Sequence, residues 1–259
     1  VTLPLIVYRS LRQHALSTLV TAGSIALAAG LLMAVWMVKA QSQKAFLETS
    51  TGFDAVLGAR GSKLQLVLNS IFHLEASAGN LSGADYEQIK KHPAVKTAIP
   101  LALGDNYLGY RVVGTLEELF TSVEYAKGKK YALQAGGRLF AGPAHEAAIG
   151  SFAAAKLNLK AGDTFRPYHG LVFDPNTQHE EVYTIVGVLQ PTNTPADKVI
   201  WIPLAGIQTM KGHDPRTASD VSAVLIQLRT PMAGFQLDLM YNRQGNRLTF
   251  AYPVAAIIA

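Results

Sequence analysis

ALSTLVTAGSIALAAGLLMAVWMV, running from Ala15 to Val38, is a stretch of 24 residues without Asp, Glu, Lys, Arg or His. As an α-helix it would extend about 36 Å, enough to cross a hydrocarbon core of about 30 Å with some tilt. Two other readings compete with a membrane span. A secretory signal has an apolar region of only about 7–15 residues and ends at a small-residue cleavage site. A buried core helix is the other. The run is too long for the signal, and Trp36 near its end stands where an interfacial anchor would. The span reading divides the chain into a short segment 1–14, a transmembrane helix 15–38 and a large remainder 39–259.

Charge is distributed around that helix. The formal net charge is +5, and Arg9, Arg12, Lys39 and Lys44 supply +4 of it within the first 44 residues, where no acid occurs. The rest of the chain is nearly neutral, which excludes a basic nucleic-acid-binding domain. Positive residues lie on both sides of the span, so charge alone orients it weakly. The size of the segment beyond the helix places residues 39–259 outside the cytoplasm and residues 1–14 inside it. Within the span, Ala22, Ala26, Gly30 and Ala34 recur every four positions and share one helix face. Small side chains there let another helix approach closely; the abundance of alanine in membrane helices is the plainer explanation.

Composition narrows the chemistry. With 49% hydrophobic and 16% charged residues the chain has ample means to build a core. It contains no cysteine, which excludes a disulfide scaffold, a thiol nucleophile and any cysteine-ligated metal. From about Lys44 onward the pattern is mixed α+β. Ser82 followed by Asp85 reads as a capping box, with Leu81 and Tyr86 at the staple positions and His92-Pro93 ending the helix. Strands are expected over Val95–Leu103 and Tyr107–Gly114, with Gly104-Asp105-Asn106 as the hairpin turn. Further strands are expected over Val182–Leu189, Val199–Ile202, Val221–Leu228 and Arg247–Val254. Thr230-Pro231 opens a helix with Met232, Phe235 and Leu239 on one face. The economical arrangement is an α+β domain, about 45–140 and 219–254, interrupted by a β-rich subdomain at about 141–218.

Few residues point to catalysis. Gly58-Ala59-Arg60-Gly61-Ser62-Lys63 lacks the glycine spacing and the Lys-Ser/Thr order of a phosphate loop, and reads as a turn using glycine's freedom at positive φ. No serine-hydrolase elbow occurs, and the scattered carboxylates give no glycosidase pair. The chain reads as no enzyme. The exception of interest is a polar segment in which His169, His179, Glu180 and Glu181 fall within 13 positions. Imidazole and carboxylate suit zinc, so these four are candidate metal ligands; an ordinary exposed loop is the alternative. A membrane-anchored, metal-responsive binding module is one functional reading that follows.

A second reading comes from resemblance. Tyr8-Arg9-Ser10-Leu11-Arg12 before the span, Gly52-Phe53-Asp54-Ala55-Val56-Leu57-Gly58-Ala59-Arg60-Gly61-Ser62 after it, then Val112-Val113-Gly114-Thr115, Leu159-Lys160-Ala161-Gly162-Asp163, Val186-Gly187-Val188-Leu189 and Pro191-Thr192-Asn193-Thr194-Pro195-Ala196-Asp197, occur in a telling order. The chain resembles the permease of FtsX-like/MacB-type ABC transporters: its first membrane helix and the periplasmic core domain that follows. The resemblance implies a porter-like α+β part with an inserted β-rich subdomain, in the cytoplasmic (inner) membrane. It implies ATP bound and hydrolysed by a separate ATPase subunit, a second permease copy as dimer partner, the lipid bilayer around the helix, and an envelope protein, lipoprotein or exported molecule as the object of the motion. It implies no cofactor in this chain and no nucleic-acid partner. The family has four spans, and this chain stops near where the second would begin, so the resemblance also implies a fragment or truncated product.

Overall fold

The computed structural model describes residues 3–48, 52–142, 144–212, 217–245 and 247–258, with side chains from 42 to 48 excepted. Two compact units are present, Val1–Phe46 and Leu47–Ala259.

The first unit contains helices α1 (Leu3–Gln13) and α2 (Ala15–Glu48). Within α2, Ala15–Gln41 is long and apolar enough to cross a membrane. Its apolar side chains point in all directions and stay uncovered, Leu27 at 77% and Trp36 at 70% exposure. A helix that is apolar all round suits lipid rather than a protein surface. A β-carbon at Gly30 would meet nothing within 4 Å, so the small-residue face has open space beside it.

The second unit follows in the order β1 (Ala55–Ala59), α3 (Lys63–Ser70), α4 (Gly83–Lys90), β2 (Val95–Tyr107), β3 (Tyr110–Thr115), α5 (Glu118–Thr121), β4 (Glu124–Ala126) and β5 (Lys129–Lys130). Next come β6 (Glu146–Ile149), α6 (Ser151–Leu157), β7 (Thr164–Phe165), β8 (Tyr168–His169), β9 (Tyr183–Val188), β10 (Ile200–Pro203) and α7 (Leu204–Gln208). It closes with β11 (Ala223–Leu228), α8 (Pro231–Asp238), β12 (Leu248–Ala251) and α9 (Val254–Ile257). One sheet path runs β12-β1-β11-β2-β3-β10-β6-β9-β7, with β8 added on β2; β4 and β5 pair separately. The joins β10 to β3 and β6 to β9 are parallel, the others antiparallel.

Both faces of the sheet are covered where β1, β11 and β12 lie side by side. On β1, Val56 enters one apolar cluster while Ala55 and Leu57 enter another. On β11 the same split separates Ala223 and Leu225 from Val224 and Ile226. That explains the unbroken apolar runs, since a strand buried on both sides has no polar alternation. Helix α3 seals one face with Leu66 and Val67; α4 and α8 seal the other with Tyr86, Ile89 and Leu237. A third cluster, around Val112, Ile149, Tyr183 and Ile200, fills the far half of the sheet.

Local chemistry agrees with the sequence at α4. Ser82 accepts from Asp85 N, Asp85 accepts from Ser82 N, and Leu81 and Tyr86 are both buried. Elsewhere two expectations change. Gly58 and Gly61 do not use positive φ: Gly58 is inside β1, and a β-carbon there would lie 2.4 Å from Leu66 Cδ1. Closeness of α3 to the strand, rather than backbone freedom, requires that glycine. Met232, Phe235 and Leu239 share one face of α8 and its continuation, as expected, and it is the exposed one, at 65%, 61% and 44%, while Ala233, Gly234 and Leu237 face inward. The small residues let α8 lie close, since a β-carbon at Gly234 would fall within 2.2 Å of the Tyr252 ring.

The second change matters most for function. Strand β2 runs straight through Gly104, Asp105 and Asn106, and the turn is Leu108-Gly109, with φ of 49° and 86°. Tyr107 pairs with Tyr110 across it. A two-residue turn with positive φ at both positions follows the twist of its strands, and glycine makes the second position free of strain. Gly104 instead marks a bulge, where the register shifts between Leu103 and Asp105. Asp105, expected at a turn, is thereby a fully buried strand residue.

Candidate metal centre

Asp105 meets histidines because of how β2 is paired. Strand β8 adds antiparallel to it, setting His169 directly opposite Asp105 and Tyr168 opposite Asn106. Asn106 holds that approach. Its Nδ2 donates to Gly170 O at 2.9 Å and Val172 O at 3.3 Å, while its Oδ1 accepts from Gly109 N at 3.1 Å. The chain then returns along the other side of β8. Gln178 bridges Tyr168, and His179 N donates to Pro167 O at 2.9 Å. Both histidines are thus carried to the same carboxylate by backbone pairing.

Asp105 Oδ1 lies 3.5 Å from His169 Nδ1 and 3.4 Å from His179 Nε2. One donor atom from each of the three side chains falls within 4.8 Å of the others. The two rings are edge to face, 5.6 Å between centroids. Burial grades across the group: the Asp105 side chain is fully enclosed, His179 is 6% exposed and His169 56%. His169 opens onto two clefts of about 340 and 320 Å³.

The tautomer of His179 follows from its other contact. Its Nδ1 is 2.9 Å from Lys211 O, and a carbonyl oxygen only accepts, so Nδ1 carries a proton. Nε2 then presents to Asp105 either a lone pair or the second proton of an imidazolium. A ring nitrogen directed in this way by a backbone carbonyl is the usual state of a metal-ligating histidine. Gly212 lies against this ring with φ +94°, and a β-carbon there would be 3.8 Å from His179 Cε1.

Of the four residues singled out by sequence, the structure brings together His169 and His179 only. Glu180 is exposed and its carboxylate takes the Lys211 Nζ at 2.7 Å, which holds its pKa below the usual carboxylate value. Glu181 Oε1 accepts from Lys211 N at 3.0 Å. Neither joins the group of converging donors, which takes its carboxylate from Asp105. The sequence held a signal for it: Tyr107-Leu108-Gly109-Tyr110 is itself a compact hairpin, and choosing it as the turn puts Asp105 inside a strand.

Other polar features are structural. Ser62 caps α3 by accepting from Gln65 N, which occupies the hydroxyl that a phosphate loop would use. The turn at 191–197 is tied by Asp197, which accepts from Thr192 N, Thr192 Oγ1 and Asn193 N. A larger cleft, about 720 Å³, is lined by Lys96, Lys127, Lys129 and Lys130 and, among the described residues, brings no metal-ligand set together.

The MacB-like periplasmic core domain family matches residues 16–234. Among solved structures, the periplasmic region of MacB from Actinobacillus actinomycetemcomitans aligns at 12% identity over 79% of this chain and 91% of that one, with a TM-score of 0.49. The extracellular domain of the noncanonic ABC-type transporter YknZ from Gram-positive bacteria aligns at 17% identity over 75% and 97%, with a TM-score of 0.44. No curated protein sequence matches significantly.

Proposed function

The chain belongs to the MacB-like periplasmic core domain family, and from that premise we propose that it acts as a permease component of an ABC transporter. The observation that carries this reading is the extent of the match. It runs from residue 16 to residue 234, so it takes in nearly all of the membrane-length helix Ala15–Gln41 and the sheet domain as far as α8. In this reading residues 15–38 cross the cytoplasmic (inner) membrane, residues 1–14 stay inside, and residues 39–259 work outside. ATP is hydrolysed on a separate ATPase subunit. Helix movement passes to the outer domain, which acts on an envelope protein, a lipoprotein or an exported molecule. The face formed by Ala22, Ala26, Gly30 and Ala34 packs against the helix of a second copy or another span.

The absence of cysteine makes topology directly testable, because any introduced thiol is the sole label site. Lys127→Cys is expected to react with a membrane-impermeant maleimide in intact cells, and Ser10→Cys only after permeabilisation. The reverse pattern overturns the orientation. For coupling, ATPase activity is expected to be retained with the immobilised chain from solubilised membranes. Gly30→Leu is expected to weaken crosslinking along the small-residue face. Retention of no ATPase activity, in membranes where the chain is properly inserted, overturns the permease reading.

A further inference from the structure

We infer that Asp105, His169 and His179 form a binding site for a divalent transition-metal cation of the zinc class. Distance separates a shared cation from a direct hydrogen bond between these imidazoles and the carboxylate. A charge-assisted hydrogen bond between imidazolium and carboxylate closes to about 2.7–2.9 Å. Here both nitrogens stand off from Asp105 Oδ1, at 3.4 and 3.5 Å. Two ligand atoms held at about 2.0–2.1 Å by one tetrahedral zinc are about 3.3–3.4 Å apart, which is the observed spacing. The widest separation in the group reaches no more than 4.8 Å, and His169, being exposed, has room to shorten it.

The donor set has the right chemistry as well as the right size. Two imidazoles and one carboxylate favour zinc, cobalt, nickel or copper over calcium or magnesium, which prefer oxygen. Lys211 O orients His179 through Nδ1, supplying the outer hydrogen bond that tunes such ligands. The three donors come from β2, β8 and the strand-like return at residue 179, so a bound cation ties together segments that are far apart in sequence. It would lock the tip of the β2–β3 hairpin to the 168–179 loop. Tetrahedral zinc takes four ligands, so the remaining position falls to water, to a further side chain of this chain or to one of a partner. This inference does not depend on the permease reading, because it concerns residues whose binding is measurable without any partner.

The test uses the detergent-solubilised full chain, stripped with EDTA and titrated calorimetrically with ZnCl2. One saturable site is expected, and CoCl2 in its place should produce visible d–d absorption. His169→Ala alters an exposed side chain and should fold normally; at least a tenfold loss of zinc affinity is expected. Asp105→Asn should lose at least as much, while His92→Ala, at the end of α4, should change nothing. Absence of saturable binding overturns the site, as does unchanged affinity in His169→Ala. Should Asp105→Asn fail to fold, His169→Ala alone decides.

Discussion

Asp105 and Asp197 are both buried aspartates on the same domain, and they are held in opposite ways. Asp197 collects short hydrogen bonds from its own turn: Thr192 Oγ1 at 2.8 Å, Thr192 N at 3.0 Å and Asn193 N at 2.8 Å. All those donors lie within five residues of it. Among its contacts, Asp105 instead faces two imidazoles from 64 and 74 residues away, each beyond 3.3 Å. The first carboxylate completes a local backbone; the second stands at a junction of segments. Burial alone does not separate the two roles. The identity of the partners and their distance do.

The contrast can be broken most forcefully at Asp197. Asp197→Ala removes the acceptor of the Thr192 and Asn193 amides and of the Thr192 hydroxyl and should lower stability by about 3 kcal/mol, seen as a reduced urea midpoint with unchanged zinc affinity. Next comes the cation. Zinc at about one hundred times its dissociation constant should stabilise the native chain by about 2.7 kcal/mol, and His169→Ala should abolish that gain in thermal melts.

A third histidine sharpens the comparison because the charge that acts on it is a cation. His73 lies edge-on to Trp201, and burial, aided by Arg111, pulls its pKa down to about 3. It stays neutral in the fold but titrates near 6.5 when unfolded, so below pH 6.5 the unfolded chain binds the extra proton. Stability should therefore fall as pH falls from 6.5 towards 3, by at most about 1.4 kcal/mol per unit. His73→Asn, which tolerates the local φ of 56°, should flatten the slope between pH 6.5 and 4.5 in EDTA. The smallest effect belongs to Glu180. Its exposed pair with Lys211 should be dispensable, so Glu180→Gln leaves both the melting temperature and zinc affinity within error.

These cases also show what was legible in the sequence. The apolar run 15–38, the Ser82–Asp85 cap and the Thr230 cap are local patterns, and the helices they specify are present. Two of the three converging donors were legible too, because His169 and His179 are near each other in sequence. Asp105 was not, since its role depends on β8 pairing with β2, and no window of adjacent residues reports such a pairing. The choice of turn hid it further. Gly104-Asp105-Asn106 has turn-like composition, yet the sheet's twist and the bulge at Gly104 favour the turn at Leu108-Gly109. Local composition likewise set Glu180 and Glu181 beside the histidines, while in the fold their carboxylates meet Lys211.

The position of β1 has a consequence for how the domain comes into being. Its hydrogen-bond neighbours are β11 and β12, with Val56 opposite Leu225 on one side and Ala251 on the other. As the chain grows from the ribosome at about 5–20 residues per second, this first strand waits on the order of ten seconds or more for either edge to be satisfied. During that interval an apolar strand sits a few residues beyond a helix already able to enter the bilayer. Folding is thus a late, long-range closure with high contact order, and the nascent chain needs protection against pairing with the wrong edge. A chain arrested after Leu228 would give β1 one neighbour and leave the other edge open to a second arrested copy.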